Sequence, residues 1–200
     1  IGGAECSGLT VGASELTFRP GSVTPGEYHF AVGTAGSTGL VLQTVLVPLM
    51  LADAPSRLVI EGGTHAMAAP PFEFLQKTLL PVLERMGPKI SITLERHGFF
   101  PRGGGRIVVD IDPAPLRPIE CVTRGEFKAG KVEALVAGIP FDIADRELKA
   151  ARKVLVEWPD EAFAPVQLPA ENGPGNALLM EAEFDNVTEV MSGFGKLGVP

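Results

Sequence analysis

Arg96, Arg102 and Arg106 crowd one short stretch together with His97 and three successive glycines, Gly103, Gly104 and Gly105. Guanidinium groups are permanently charged fork-shaped donors, and glycines leave backbone amides uncovered, so the combination suits a phosphate or another polyanion. Residue types alone leave a second reading open. The stretch is equally a glycine-rich hairpin with solvated arginines, because a glycine-rich loop is a weak signal by itself. Arg96 and Arg106 stand at strand ends, where they could instead pair with carboxylates across a sheet. A second kind of chemistry is offered by Gln43, an amide in a strongly apolar run, which must find hydrogen-bond partners or emerge on a wet stripe.

The elements that must hold these residues follow from periodicity. Ile90–Glu95 and Ile107–Asp112 place apolar residues at every second position, which predicts two antiparallel strands joined through the arginine-rich stretch. Glu15–Phe18 reads as a short strand stopped by Pro20, after a glycine-rich connection over residues 1–14. Tyr28, Phe30 and Val32 alternate with His29 and Ala31 in a further strand, His29 lying on the polar face with no ligand-spaced neighbour. Ser37 or Thr38 is a cap for a helix carrying Leu40, Val41, Leu42, Val45, Leu46, Val47, Leu49 and Met50; apolar nearly all round, it is expected to be buried, with Pro48 kinking or ending its last turn. Arg57–Glu61 predicts a strand and 62–65 a loop at its carboxyl end. Pro70-Pro71 then precedes a helix with Phe72, Leu75, Leu79, Val82, Leu83 and Met86 on one stripe, bent at Pro81 and ended by Gly87.

Pro113, Pro115 and Pro118 mark a boundary. Beyond it, 131–136 reads as a strand, Asp142 as the cap of a helix with Ala144, Leu148, Ala151 and Leu155 on one face, and 166–168 and 177–184 as strands. The charges of this second part are read as solvated surface.

Bulk properties narrow the function classes. The net charge of −7 argues against a protein that coats nucleic acid generally, and 45% hydrophobic content supports a real core. The charge is uneven: residues 85–109 hold Arg85, Lys89, Arg96, Arg102 and Arg106 against Glu95 alone, whereas 142–196 is strongly acidic. A basic site on an acidic body fits capture of one anionic end. Cys6 and Cys121 lack metal-ligand spacing and read as reduced thiols of a cytoplasmic protein, and no residue is assigned as a metal ligand. The apolar run 39–52 is too short to span a bilayer, and no signal-peptide pattern opens the chain.

His97-Gly98-Phe99-Phe100-Pro101-Arg102-Gly103-Gly104-Gly105 closely resembles the signature of the RNA 3'-terminal phosphate cyclase family, His-Gly-aromatic-aromatic-Pro-x-Gly-Gly-Gly. Gly33-Thr34-Ala35-Gly36-Ser37-Thr38 with Leu42-Gln43-Thr44, then Gly62-Gly63-Thr64-His65, then Ala69-Pro70-Pro71, resemble further motifs of that family in its order. The resemblance is firm for about residues 10–112. It implies an α/β (α+β) fold containing a β-α-β-α-β-β repeat shared with the enolpyruvyl transferases, complete once here at about 27–112. Residues 1–117 would then belong to the large cyclase domain, and 118–200 to a smaller inserted α/β domain.

The same resemblance implies the function: ATP-dependent conversion of an RNA 3'-phosphate to a 2',3'-cyclic phosphate, through an adenylylated histidine and an adenylated RNA end. ATP and a divalent metal such as Mg would be the cofactors, and RNA with a 3'-phosphate end the partner; the oligomeric state is left open. Gln43 is the implied nucleotide contact and Pro71 a second one near the adenine, while Arg96, His97, Arg102, Gly103, Gly104 and Gly105 are the candidates for phosphate or RNA. His65 stands where the family leads one to expect asparagine, and no role is assigned to it. Set against the family, the chain looks cut at both ends. The nucleophilic histidine and the acidic metal contact would fall outside it, so no residue here is given a catalytic role and the segment alone is expected to be inactive. A non-catalytic cyclase-like ribosome-assembly protein is the alternative of a different class.

Overall fold

The computed structural model describes residues 1–195. A two-stranded antiparallel ribbon, β1 (Glu5–Ser7) and β2 (Thr17–Arg19), comes first. Residues 1–14 are thus not merely a connection: Glu5 pairs with Arg19 and Ser7 with Thr17, a ladder too short to announce itself by alternation.

Strand β3 (Glu27–Ala31), helix α1 (Thr38–Met50) and strand β4 (Ser56–Gly62) form a parallel crossover. A second helical passage follows: α2 (Phe72–Phe74), a π-turn over Leu75–Leu79 and α3 (Leu80–Glu84). It leads into the hairpin of β5 (Lys89–Arg96) and β6 (Gly105–Asp112), giving a four-stranded sheet ordered β3-β4-β6-β5, with β6 antiparallel to both neighbours. This is the β-α-β-α-β-β order read from the sequence. The π-turn lies where Pro81 was expected to bend the helix. Proline has no amide for the Lys77 carbonyl and its ring crowds that carbonyl, and the wider turn, with Leu80 N–H donating to Leu75 C=O, accommodates both.

Both helices cover one face of the sheet. Leu42, Leu46, Leu49 and Met50 of α1, with Phe72, Leu75 and Leu80, meet Leu58, Ile60, Ile90, Ile92, Ile107, Val109 and Ile111 in one continuous core. The expectation that α1 is buried all round is not met. Leu40 and Val47 are each 49% exposed, and Gln43 and Thr44 are exposed, because a helix lying on a sheet has only one covered side however apolar its sequence. Of the two expected caps, Ser37 is the one used, its side chain accepting from Leu40 N–H at 3.2 Å, and Thr38 opens the helix. On the sheet's other face, polar residues form cross-strand ion pairs, Arg57–Asp110 at 2.6 Å among them.

A second sheet is built from β7 (Phe127–Ala137), α4 (Asp142–Val154), β8 (Phe163–Leu168), β9 (Gly175–Phe184) and β10 (Thr188–Gly193), in the order β10-β9-β7-β8. Again a parallel pair, β7 and β8, is joined through a helix, and Val132, Ala134, Val136, Ala144, Leu148 and Phe163 form its core. Asp142 is not the cap of α4. Phe141 holds that position without a side-chain cap, and Asp142 sits in the first turn, where its charge suits the positive end of the helix. Strand β10 was not anticipated. It lies beside the π-turn, where Thr78 Oγ1 donates to Thr188 C=O at 2.6 Å, and Lys77 of the same turn pairs with Glu181 of β9 at 2.5 Å. Among the described residues no helix is long and apolar enough to cross a membrane.

Candidate functional site

Three glycine-bearing loops meet at the carboxyl end of β4 and are stitched together through their backbones. Gly63 N–H donates to Gly36 C=O at 2.8 Å, and Thr38 N–H to Gly63 C=O at 2.9 Å. Thr64 N–H donates to Gly98 C=O at 2.9 Å, while Gly98 N–H donates to Thr64 Oγ1 at 3.0 Å. Such closeness explains the glycines. A Cβ on Gly63 would stand 2.4 Å from Ala35 C=O, and one on Gly98 2.3 Å from Gly105 N.

Gly103 and Gly104 both adopt left-handed backbone, φ +68° and +72°, but they differ in surroundings. Gly103 is buried, its absent Cβ would lie 2.5 Å from Thr34 C=O, and its amide donates to Phe99 C=O at 2.7 Å. Gly105 is buried opposite Gly62 in the β4–β6 ladder. The expectation of three open amides is therefore corrected. The glycines at 103 and 105 serve close packing, and Gly104 alone is exposed with open space around it.

The arginines also separate. Arg106 donates to Glu61 at 2.6 Å and to Glu95 at 2.5 Å, so its charge is neutralised across the sheet. The Arg106 hydrogen bond holds the Glu61 carboxyl below its ordinary pKa, and Glu95 with Glu61 raises that of Arg106. Arg96 instead donates through Nε to Gly104 C=O, and Arg102 through Nη1 to Glu171 C=O at 3.3 Å. Both are exposed, and neither pairs with a carboxylate among the described residues.

The signature's aromatic pair is split between two tasks. Phe99, 2% exposed, packs with Ala137 and Ala177 and against Gly175 of the second sheet, while Phe100 is 74% exposed. His97 turns inward, stacking on His65 with ring centroids 5.3 Å apart, and His65 stacks on Phe99 at 5.3 Å. Burial and the neighbouring His65 push the pKa of His97 down to about 4, with Glu73 opposing, so its ring is neutral near pH 7.

His65, 1% exposed, is held at both ring nitrogens, Nδ1 at 2.8 Å from Thr64 Oγ1 and Nε2 at 2.9 Å from Glu73 Oε2. Burial pushes the Glu73 carboxyl up, but the opposing effects, led by the hydrogen bond with His65, outweigh it and leave the pKa below the ordinary glutamate value. One donor atom from each of His65, Glu73 and His97 lies within 4.8 Å of the others. Sequence spacing did not reveal this cluster, since its members belong to three different elements. The only signal was a histidine beside the Gly-Gly-Thr turn.

Gln43 is exposed on α1 and makes no side-chain hydrogen bond among the described residues, so it emerges on the wet side. Pro71 is buried at the residue preceding α2, and Pro70 C=O would lie 3.2 Å from a Cβ on Gly39 at the start of α1. The loops of Gly36, Gly63 and the signature hairpin are brought together; Gln43 shares no hydrogen bond with them among the described residues.

A family model described as RNA 3'-terminal phosphate cyclase matches residues 1–191. The chain belongs to the RNA 3'-terminal phosphate cyclase family. It is 50% identical, over 200 residues, to a protein of that name from Koribacter versatilis, covering all of this chain and 56% of the relative. It is 46% identical over 199 residues to one from Ectopseudomonas mendocina, covering all of this chain and 58% of that protein. A Salmonella enteritidis cyclase is 41% identical over 199 residues, 99% of this chain and 58% of its own length. The chain thus spans a little over half the length of these curated cyclases.

Proposed function

We propose that this chain is part of an ATP-dependent RNA 3'-terminal phosphate cyclase, a ligase that closes an RNA 3'-phosphate into a 2',3'-cyclic phosphate. The observation that carries the reading is the family match over residues 1–191 together with the three motif loops stitched into one surface. Chemistry supports it. A phosphomonoester carries no good leaving group, and ATP supplies one by adenylation.

Within that reaction, Arg102 and Arg96 hold the phosphates of the RNA end or of ATP, with the exposed amide of Gly104 as the backbone donor beside them. Arg106 sets the shape of the hairpin, because Glu61 and Glu95 already balance its charge. His97 and Gly103 hold the turn from inside. Gln43, exposed on α1, is the nucleotide contact, and Pro71 shapes the neighbouring surface from beneath. A divalent ion such as Mg2+ neutralises converging phosphate charge when bound. Hard, oxygen-preferring ions of that kind are poorly served by two imidazoles, so the His65–Glu73–His97 cluster is not its seat.

The division of the chain at about residue 117 into a part of the large domain and a smaller inserted domain belongs to the same reading. The irregular stretch between β6 and β7 supports it. The protein acts in the cytoplasm on RNA ends. The test is to incubate the full-length protein with ATP and an oligoribonucleotide ending in a 3'-phosphate, beside one ending in a 3'-hydroxyl. The expected result is a phosphatase-resistant cyclic end from the first alone, with AMP released. No cyclic end from folded protein would overturn the reading.

A further inference from the structure

The cluster behind the signature hairpin has the composition of a site for a softer ion than magnesium. Two imidazoles and one carboxylate, on the loop after β4, the first turn of α2 and the end of β5, offer one donor atom each within a 4.8 Å span. Ligands around a tetrahedral ion bound at about 2.0–2.2 Å stand roughly 3.4 Å apart. His65 Nε2 and Glu73 Oε2, at 2.9 Å, are already near that separation. The half-buried His97 ring makes no hydrogen bond among the described residues, so it can turn toward them without breaking one, at the cost of some of its stacking on His65.

The surroundings fit as well. Histidine ligands ordinarily donate their second ring N–H to a neighbouring acceptor, which fixes the tautomer that leaves the other nitrogen free. Thr64 Oγ1 stands 2.8 Å from His65 Nδ1 and also 3.5 Å from Gly98 C=O. Without an ion, the Thr64 hydroxyl can donate to Nδ1 while Nε2–H donates to Glu73. On binding, the hydroxyl rotates to Gly98 C=O, Nδ1–H donates to Oγ1, and the lone pair of Nε2 is released toward Glu73. The changes required are one hydroxyl rotation, one change of tautomer and a turn of the His97 ring, inside a framework whose backbone is already bonded.

We propose that His65, Glu73 and His97 bind one divalent cation of the Zn2+ type, with a fourth position left to solvent. The ion ties the Gly-Gly-Thr-His loop, the start of α2 and the signature hairpin to a common centre. It is separate from any ion that accompanies ATP, and its binding does not depend on the cyclase reading.

The test uses the full-length protein stripped by a chelator and titrated with Co2+, a spectroscopic substitute for Zn2+, in the presence of excess Mg2+. The expected result is saturable visible absorption of the tetrahedral kind, displaced by Zn2+ and lost in His97→Ala and Glu73→Gln proteins of native circular dichroism. Should those variants not fold, histidine-ring NMR of the unmodified protein decides. Zn2+ is expected to shift the His65 and His97 signals together and to leave His29, exposed on β3, unmoved. Absence of saturable binding, a spectrum unchanged by both substitutions, or a response at His29 without His65 and His97 would overturn the proposal.

Discussion

The two four-stranded sheets share a parallel β-α-β crossover but close it in different ways. At the carboxyl end of β4, glycine loops approach so closely that backbone contacts backbone, and a histidine–glutamate cluster fills the space beneath. At the carboxyl end of β8, the chain closes through an ordinary helical turn over Ala170–Asn172 and then enters β9. The two ends meet through Phe99, which leaves the first sheet's hairpin to pack on Ala137 and Ala177 of the second. Arg102 reaches across in the same direction, to Glu171. One topology therefore does two jobs: the first sheet builds a loop surface, and the second buttresses it from the side. The difference lies in loop composition, not in the strands, which is why similar folds can host unrelated roles.

The largest expected effect breaks the buttress. Phe99→Ala empties a fully packed position and is expected to destabilise by about 3–5 kcal/mol, whereas Phe100→Ala, on an exposed ring, should stay within about 0.5 kcal/mol. Urea denaturation of both variants measures the contrast, and equal losses would mean that Phe99 does not join the sheets. Next come the glycines. Gly104→Ala suffers only left-handed strain, about 1–2 kcal/mol, because nothing occupies the space of its Cβ. Gly103→Ala adds a contact at 2.5 Å with a backbone carbonyl and should cost visibly more in the same measurement.

The half-buried His97 sharpens the comparison by pH. The folded-state pKa of His97, about 4, lies below the unfolded value near 6.5. The unfolded chain therefore binds the extra proton first, and stability falls as pH drops from about 6.5 toward 4. Metal-free protein should show that decline in melting temperature, and a His97→Gln substitution should flatten it. If the slope persists unchanged, another group is responsible. The smallest effect on stability is expected at the surface arginines. Arg102→Ala should change stability by no more than about 0.5 kcal/mol, yet weaken binding of a 3'-phosphorylated oligonucleotide and lower its salt slope by about 1. Arg106→Ala should leave that slope nearly unaltered, since its charge is already balanced by Glu61 and Glu95. Filter binding at several salt concentrations separates the two.

The sequence by itself determined the strands of the first sheet, α1 and a cap at Ser37 or Thr38, the alternation of β5 and β6, and the motifs by which the family is recognised. These are local properties, written in period, capping chemistry and glycine placement, and they need no knowledge of what lies across the fold. Tertiary structure decided the rest. It exposed one side of an apolar helix, because covering depends on the neighbour and not on the helix. It paired Arg106 with two carboxylates while leaving Arg96 and Arg102 with none among the described residues. It closed the amide of Gly103, left Gly104 exposed, and gave the two signature phenylalanines opposite surroundings. Above all, it gathered His65, Glu73 and His97, which no spacing connects, because the loop after β4, the start of α2 and the signature hairpin converge; proximity of that kind is a property of packing and has no local signature.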